Sequence, residues 1–320
     1  MSGYLEKGQW HDGWYDTKAT HGEFVRTVSV FRDQVTADGS SGYLAEPGRY
    51  HLYVSLACPW AHRTLIARSL KKLEGVVPLS IVEPVMTEQS WAFSPTLQDR
   101  ANGFFHLHQL YTATQPDYTG RVLVPVLWDT KTRTIVNNES EEIVRMLNQA
   151  FNAYGDKKVD LYPAPLRHEI DSINEFVYEN INNGVYRCGF ASSQASYEKA
   201  FTRLFEALDR IESLLSESPY LVGSSATEAD WRLFTTLARF DAVYYGHFKC
   251  NRNRIEDFPH LSRYLRKLYL VTGVAGTVNM DHIKRHYYMS HPHINPSRIV
   301  PLGPRIKFCE PADQAGESSH

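Results

Sequence analysis

The pattern of apolar residues changes near the middle of the 320-residue chain. In the first half, short stretches rich in β-branched and aromatic residues, such as 50–56 and 78–84, predict strands. Between these two stretches, Leu65, Ile66 and Leu70 recur at helical spacing. The pattern therefore predicts a β-α-β unit, and a crossover of this kind favours parallel strands.

Two further strands are predicted in the first half. Residues 121–129 have the composition of a strand, but a proline at position 125 requires an edge position or a break in the pairing. A short partner strand begins at Thr134 after a polar turn. Glu139 and Ser140 then provide polar capping chemistry ahead of an amphipathic helix.

Beyond about residue 165 the apolar residues recur at steps of three and four, which predicts helices. One of these helices opens with Thr227 and has Asp230 three residues later, a pairing typical of a capping box. The apolar stripes of the other helices contain Leu166, Ile170, Ile173 and Val177, then Phe201, Leu204, Phe205, Leu208, Ile211 and Leu215, and finally Leu261, Leu265 and Leu268. The predicted fold class is α/β followed by all-α.

The change of pattern divides the chain into four segments. We predict an N-terminal arm at 1–48, an α/β domain at 49–155, an all-helical domain at 165–290 and a C-terminal tail at 291–320. Aromatic residues such as Trp10 lie among the glycines and polar residues of the arm. They indicate that the arm packs on the body of the protein.

Charge and composition make several classes of partner improbable. The chain has 34 basic and 36 acidic residues, and its net charge of -2 predicts neither nucleic acid nor an anionic membrane as a partner. No stretch approaches the roughly 20 apolar residues that a membrane helix needs. The N-terminal residues are mainly polar and no apolar run follows them, so we expect no secretory signal.

The four cysteines are scattered without paired spacing. They are Cys58, Cys188, Cys250 and Cys309. This distribution makes a disulfide scaffold improbable and predicts reduced thiols in a cytoplasmic protein.

Cys58 lies where a predicted strand ends and a predicted helix begins with Pro59. Free backbone N–H groups and the positive end of the helix dipole favour a thiolate there, so the pKa of the thiol should fall. Arg63 could add to this field, although we expect its side chain to point outward. Position 61 is Ala61, so no Cys-x-x-Cys motif can form an internal disulfide. An adduct on Cys58 must then be resolved by an outside thiol.

Two other interpretations of Cys58 remain open at this point. The thiol could be a buried, inert residue of the core. Cys58 and His62, one helical turn apart, could instead bind a metal, but two ligands do not complete a site and no metal is expected. A second group of histidines near the end of the chain is expected to form a solvated face, namely His282, His286, His291 and His293.

The sequence resembles the glutathione transferase superfamily, and within it the glutathionyl-hydroquinone reductases, the Xi class. The resemblance depends on C-P-W-A-H at 58–62, Val124-Pro125, Glu139-Ser140 and N-N-G-V-Y at 182–186, together with F-K-C at 248–250 and D-H-I at 281–283. It implies a thioredoxin-like N-terminal domain, a helical C-terminal domain and a homodimer.

The resemblance also implies how glutathione, the co-substrate, would bind. The backbone of Val124 would bind its cysteinyl part, and the peptide bond before Pro125 would be cis. Glu139 and Ser140 would hold its γ-glutamyl end. The full set implied for glutathione is Trp91, Arg121, Val122, Leu123, Val124, Glu139 and Ser140.

Three tyrosines complete the implied catalytic set with Cys58. By resemblance, Tyr186 donates a proton to the departing aromatic group, while Tyr244 and Tyr287 hydrogen-bond the Cys58 sulfur and lower its pKa further. A phenol suits either task, because it is a donor with a pKa near 10. Without the resemblance, packing would be the usual role of each, since the chain has 19 tyrosines.

The implied function is the removal of glutathione from glutathionyl-hydroquinones through a mixed disulfide on Cys58, with release of hydroquinone and oxidised glutathione. Two alternatives remain. An omega-like thioltransferase or dehydroascorbate reductase would use the same cysteine. A non-catalytic binding module with a transferase fold would not need it.

Overall fold

The protein is described from a computed structural model that covers residues 3–15 and 17–309. These residues form two compact units. The first unit contains 3–15, 26–162 and 277–299, and the second contains 17–25, 163–276 and 300–309. The segment boundaries predicted from the sequence stay a prediction, and the predicted tail residues 310–320 lie outside the described residues.

All strands of the described residues belong to the first unit. They are β1 (Gly3–Glu6), β2 (Gln9–Asp12), β3 (Val35–Thr36), β4 (Tyr43–Leu44), β5 (Tyr50–Val54), β6 (Leu79–Ile81), β7 (Gly120–Arg121), β8 (Val126–Asp129) and β9 (Thr134–Asn137). The same unit contains the helices α1 (Pro59–Leu70), α2 (His108–Thr114), α3 (Ser140–Gln149) and, much later in the chain, α9 (Met280–Ser290).

The central sheet has the order β6-β5-β8-β9. β5 is parallel to β6 and antiparallel to β8, with Leu52 opposite both Leu79 and Leu127. All five residues of β5 are buried, as expected for an inner strand. The predicted β-α-β unit is therefore confirmed, and α1 is its crossover helix.

The strand predicted over 121–129 is interrupted before β8, and the break in the pairing expected at Pro125 is present. The structure has two short strands there, because Pro125 lacks an N–H group and lies just before β8 rather than within the paired residues. β7 pairs instead with β1, in a separate three-stranded sheet of order β2-β1-β7. The described part of the arm is thus ordered, as predicted.

The second unit is helical. It contains α4 (Arg167–Val177), α5 (Gly184–Phe190), α6 (Gln194–Glu217), α7 (Glu228–Arg239) and α8 (Pro259–Tyr269), with π-helical turns at Tyr178–Asn182 and Phe240–Tyr244. The predicted stripe of α6 is buried at Leu204, Phe205, Leu208, Ile211 and Leu215. The predicted fold class is confirmed. No helix in the described ranges is both long and apolar enough to cross a membrane.

The capping box predicted at the start of α7 is present. The Thr227 hydroxyl accepts a hydrogen bond from the backbone of the first turn, and the Asp230 carboxylate accepts one from the Thr227 N–H at 2.8 Å. Asp230 also accepts from the Leu221 N–H at 2.9 Å and from the Tyr264 hydroxyl at 2.7 Å. One buried carboxylate therefore connects α7, α8 and the loop before α7.

We expect Asp230→Ala to lower the free energy of unfolding by about 3 kcal/mol, because it leaves several buried donors without an acceptor. Ser193→Ala is the matched control, since Ser193 caps α6 at the surface and an exposed cap contributes about 1 kcal/mol. Urea titration followed by circular dichroism measures both. Equal losses in the two variants would contradict this account.

Candidate functional site

Cys58 occupies the N-cap of α1, directly after β5 and a short turn. Ser55 closes this turn, because its hydroxyl accepts a hydrogen bond from the Ala57 N–H at 3.2 Å and its carbonyl accepts one from the Cys58 N–H at 3.2 Å. Pro59 is the first helical residue, where its missing N–H has no cost. The local sequence thus fixes the thiol at the positive end of a twelve-residue helix.

The Cys58 thiol is half-buried and lies 3.7 Å from the carbonyl oxygen of Val124, to which it can donate. The Val124–Pro125 peptide is cis, as the resemblance implied. Cys188 and Cys250, by contrast, are buried, and burial raises the pKa of Cys250 well above its usual value. Partial exposure distinguishes Cys58 from these two and does not fit a sealed core residue.

The loop before β8 is held in place at the backbone of Leu123 by the side chain of Tyr111. Both the N–H and the carbonyl of Leu123 are hydrogen-bonded to the hydroxyl of Tyr111, at 3.0 and 2.8 Å. Val122 and Val124 on either side are buried. Sequence reasoning missed Tyr111, because a tyrosine within a short helix gives no sign of a backbone partner twelve residues away.

Glu139 and Ser140 lie together at the start of α3. Glu139 is the N-cap, and its carboxylate accepts from the Glu141 N–H at 3.4 Å and from the Ser29 hydroxyl at 3.1 Å. Ser140 is buried, and its Oγ lies 3.4 Å from a guanidinium nitrogen of Arg63. The predicted capping chemistry is confirmed, and Ser29 is a contact that the sequence did not reveal.

The expectation that Arg63 points outward is wrong. Its side chain is only 4% exposed, and its guanidinium lies 4.4 Å from the centre of the Trp60 ring. Arg26 lies 4.7 Å from the centre of the same ring. An arginine that packs on an aromatic ring keeps its charge when it is buried away from water. Arg63 therefore places a positive charge next to Ser140.

Arg121 binds the N-terminal arm. Its guanidinium donates to the carbonyls of Gly3, Gly13 and Trp14, at 3.1, 2.7 and 3.0 Å, and lies 4.3 Å from the centre of the Tyr15 ring. These contacts give Arg121 a structural task in addition to the flanking role that the resemblance implied. That flanking role stays a prediction.

Trp91 and Tyr287 belong to one group of rings in the first unit. Trp91 is buried and stacks on His286, with the ring centres 4.8 Å apart. Tyr287 is also buried and contacts His286 and His291 edge-on. The expected solvated histidine face is wrong at His286 and His291, because both are buried among these rings.

Tyr186 and Tyr244 lie in the second unit, with their ring centres 6.0 Å apart. Phe248 packs against both, at 5.5 and 5.4 Å. Tyr186 follows one π-helical turn closely and Tyr244 ends the other. Such turns occur frequently at functional sites, and the sequence pattern did not show them. The hydrogen-bonding roles of these tyrosines stay predictions.

His62, the second residue of the metal alternative, is buried. Its Nε2 lies 2.8 Å from the hydroxyl of Thr277. This hydrogen bond gives the imidazole a structural partner within the first unit.

The chain is similar to known proteins over nearly its whole length. Residues 57–150 match the model of the glutathione S-transferase N-terminal domain, and residues 194–267 match that of the C-terminal domain. The glutathionyl-hydroquinone reductase YqjG of Escherichia coli is 50% identical, and the match covers 97% of each chain. The glutathionyl-hydroquinone reductase PcpF of Sphingobium chlorophenolicum is 53% identical, with 94% of this chain and 96% of the relative covered.

This chain belongs to the glutathionyl-hydroquinone reductase family.

Solved structures agree with this membership of the Xi class of glutathione transferases. A Xi-class transferase from Natrialba magadii has a TM-score of 0.90 and 46% identity, over 97% of this chain and 95% of the other. The glutathione-bound structure of Escherichia coli YqjG has a TM-score of 0.89 and 47% identity, over 97% and 98%. The implied family is therefore confirmed.

We expect Cys58 to titrate below about pH 7.5, because the N-terminus of α1 stabilises its thiolate. The difference in thiolate absorbance at 240 nm between wild type and Cys58→Ser measures the pKa of Cys58, because the half-exposed Cys309 is present in both proteins. Burial raises the pKa of Cys250. The rate of thiol alkylation should rise with pH through the same pKa and then level off. A pKa above that of a free cysteine, about 8.5, would contradict this prediction.

We expect Arg121→Ala to release the described part of the arm, because three backbone carbonyls lose their donor. Hydrogen exchange of residues 3–15 should accelerate, whereas the exposed control Lys157→Ala should leave it unchanged. Unchanged exchange in Arg121→Ala would show that the arm does not depend on this side chain.

Proposed function

We propose that this protein removes glutathione from glutathionyl-hydroquinones, with Cys58 as the nucleophile. The observation that supports this most directly is the position of the thiol. It is half-exposed at the N-cap of α1, and the residue one turn further along the motif is Ala61 rather than a second cysteine. Chemistry that uses a single thiol needs a second thiol from solution, and glutathione is that thiol.

Two backbone segments of the first unit suit the glutathione moiety. Val124 precedes the cis peptide, and its carbonyl lies beside the Cys58 sulfur, so it suits the cysteinyl part of the tripeptide. Glu139 and Ser140, at the start of α3, suit the γ-glutamyl end. The carboxylate of that end is favoured by the N-terminus of α3 and by the charge of Arg63 near Ser140, and the ammonium group by Glu139.

In the first step the Cys58 thiolate attacks the sulfur of the substrate's glutathionyl group. A sulfur–sulfur bond forms and the bond between sulfur and the aromatic carbon breaks. The electron pair of the broken bond leaves with the aromatic ring, which takes up one proton and becomes the hydroquinone. The ring is thereby reduced, and the two sulfurs are oxidised to the mixed disulfide.

In the second step a glutathione thiolate attacks the glutathione sulfur of the mixed disulfide. Oxidised glutathione forms and the Cys58 thiolate is regenerated. The sum of the two steps consumes one glutathionyl-hydroquinone and one glutathione, and yields one hydroquinone and one oxidised glutathione. No metal takes part in this balance.

Tyrosine phenols supply the proton in this proposal. Tyr186 is assigned to the departing aromatic group, while Tyr244 and Tyr287 are assigned to the sulfur of Cys58. The π-helical turns beside Tyr186 and Tyr244 and the packing of both rings on Phe248 support a fixed orientation of these phenols. We further propose a homodimer, a cytoplasmic location, and the predicted boundaries at 49–155 and 165–290 for the two principal domains.

The decisive test is mass spectrometry of the protein after a brief incubation with a glutathionyl-naphthoquinol. We expect one glutathione attached by a disulfide, located at Cys58 by peptide mapping and removed by added glutathione. Cys58→Ser should form no adduct, and Cys188→Ser should form it normally because Cys188 is buried. An adduct at another cysteine, or turnover by Cys58→Ser, would refute the mechanism.

Steady-state kinetics separate the main proposal from an omega-like thioltransferase. A relative from Schizosaccharomyces pombe, named glutathione S-transferase omega-like 2, is 46% identical over 90% of this chain. We expect a higher kcat/KM with the glutathionyl-naphthoquinol than with a simple mixed disulfide such as that of glutathione and 2-hydroxyethanethiol. The reverse order would favour the thioltransferase.

A further inference from the structure

The hydroxyl of Tyr111 makes every hydrogen bond that a phenol can make. It donates to the Leu123 carbonyl at 2.8 Å and accepts from the Leu123 N–H at 3.0 Å. It also accepts from the side-chain amide of Asn138, at 3.2 Å. A hydroxyl has one donor and two acceptor positions, so its capacity is filled.

These partners lie in the two segments that the proposed function assigns to glutathione. Leu123 directly precedes Val124, whose carbonyl is beside the Cys58 sulfur. Asn138 directly precedes Glu139 and Ser140. One buried oxygen thus connects the segment for the cysteinyl part to the segment for the γ-glutamyl end.

Asn138 is itself fixed by hydrogen bonds to the backbone of Phe31. Its side-chain oxygen accepts from the Phe31 N–H at 3.2 Å, and its own N–H donates to the Phe31 carbonyl at 3.0 Å. The amide is therefore held at both ends and cannot rotate without losing a partner. The helix that carries Tyr111 is fixed as well, because the Thr114 hydroxyl accepts from the Ile135 N–H in β9 at 2.8 Å.

The ring and the hydroxyl of Tyr111 have separable tasks. The ring is fully buried and packs edge-on against Phe31, with ring centres 5.7 Å apart, and in a tilted arrangement against Tyr118, with ring centres 5.1 Å apart. A phenylalanine at position 111 would keep these apolar contacts. It would remove only the oxygen that connects Leu123 to Asn138.

We infer that Tyr111 is a positioning residue, which sets the spacing between the Val124 segment and the Ser140 segment so that both engage one glutathione. The inference rests on the proposed function, because it concerns the same binding site. Tyr111 acts through Leu123 and Asn138 and is not assigned a contact with the substrate.

The test compares Tyr111→Phe with wild type and with Tyr50→Phe, in the full-length enzyme. Tyr50 is the matched control, since it is also fully buried and its hydroxyl donates to a backbone carbonyl, that of Leu44, at 2.7 Å. The probe is S-methylglutathione, which has no free thiol, and calorimetry measures its Kd. We expect Tyr111→Phe to raise the Kd about tenfold and Tyr50→Phe to leave it within about twofold.

Steady-state kinetics provide KM values, which a general loss of stability would not change. For Tyr111→Phe, the KM for glutathione and for the glutathionyl-hydroquinone should both rise about tenfold, with kcat within about twofold of wild type. The pKa of Cys58 should stay unchanged, because its helix N-terminus is intact. Tyr50→Phe should leave both KM values near those of wild type, even where its Tm falls by the same amount.

A second variant covers the case in which Tyr111→Phe does not fold. Asn138→Ala keeps the hydroxyl and removes one end of the connection, so it should also raise the Kd, and the effects of the two changes should be less than additive when combined. A wild-type Kd in a folded Tyr111→Phe, or strict additivity of the two variants, would overturn the inference. Failure of the wild type to bind S-methylglutathione would overturn the proposed function as well.

Discussion

The position of one sulfur depends on the turn that joins β5 to α1. Ser55 closes that turn with its hydroxyl and its carbonyl, and Cys58 becomes the N-cap of the helix in consequence. A residue one step later would point into the first helical turn, and a residue one step earlier would belong to the buried turn, as Ala57 does. The electrostatic benefit of the helix N-terminus falls off within one turn, so the reactivity of the thiol depends on this register.

A second backbone segment lies beside the sulfur. The carbonyl oxygen of Val124 lies 3.7 Å from the Cys58 sulfur. As a hydrogen-bond acceptor, it suits a protonated Cys58 thiol, or the N–H and S–H groups of a thiol compound bound beside Cys58. This carbonyl is held in place through its neighbour Leu123 rather than by the central sheet, because β8 begins only at Val126. The geometry at the sulfur therefore depends on contacts made outside regular secondary structure.

The sequence predicts the parts of this arrangement that are local. One stretch of sequence contains Cys58, Pro59 and the helical periodicity of α1, and a second stretch contains the capping groups Glu139 and Ser140. The structure of each stretch follows from short-range rules. The contacts of Tyr111 with Asn138 and of Arg63 with Ser140 were missed because each joins two separate segments of the chain. An arginine or a tyrosine is seldom so deeply buried without polar or aromatic partners, and the sequence pattern does not identify those partners.

Packing between distant segments also explains why the histidines near the end of the chain differ from the prediction. His286 and His291 belong to a stretch with a polar composition, yet both are buried, because His286 stacks on Trp91 and His291 makes an edge-on contact with Tyr287. In the second unit, Gly189 has to lack a side chain, because a Cβ there would lie 2.2 Å from the Phe248 ring that packs on Tyr186.

Two of the other three thiols, Cys188 and Cys250, are enclosed and do not compete with Cys58 as nucleophiles. Cys250 is fully buried, and burial together with the neighbouring Cys188 thiol raises its pKa well above the usual value. A protonated, enclosed thiol is a poor nucleophile, since exchange proceeds through the thiolate and requires access to the disulfide. Cys188 is enclosed as well. Neither Cys188 nor Cys250 can therefore resolve an adduct on Cys58 in the folded enzyme, and the proposed mechanism takes the resolving thiol from solution.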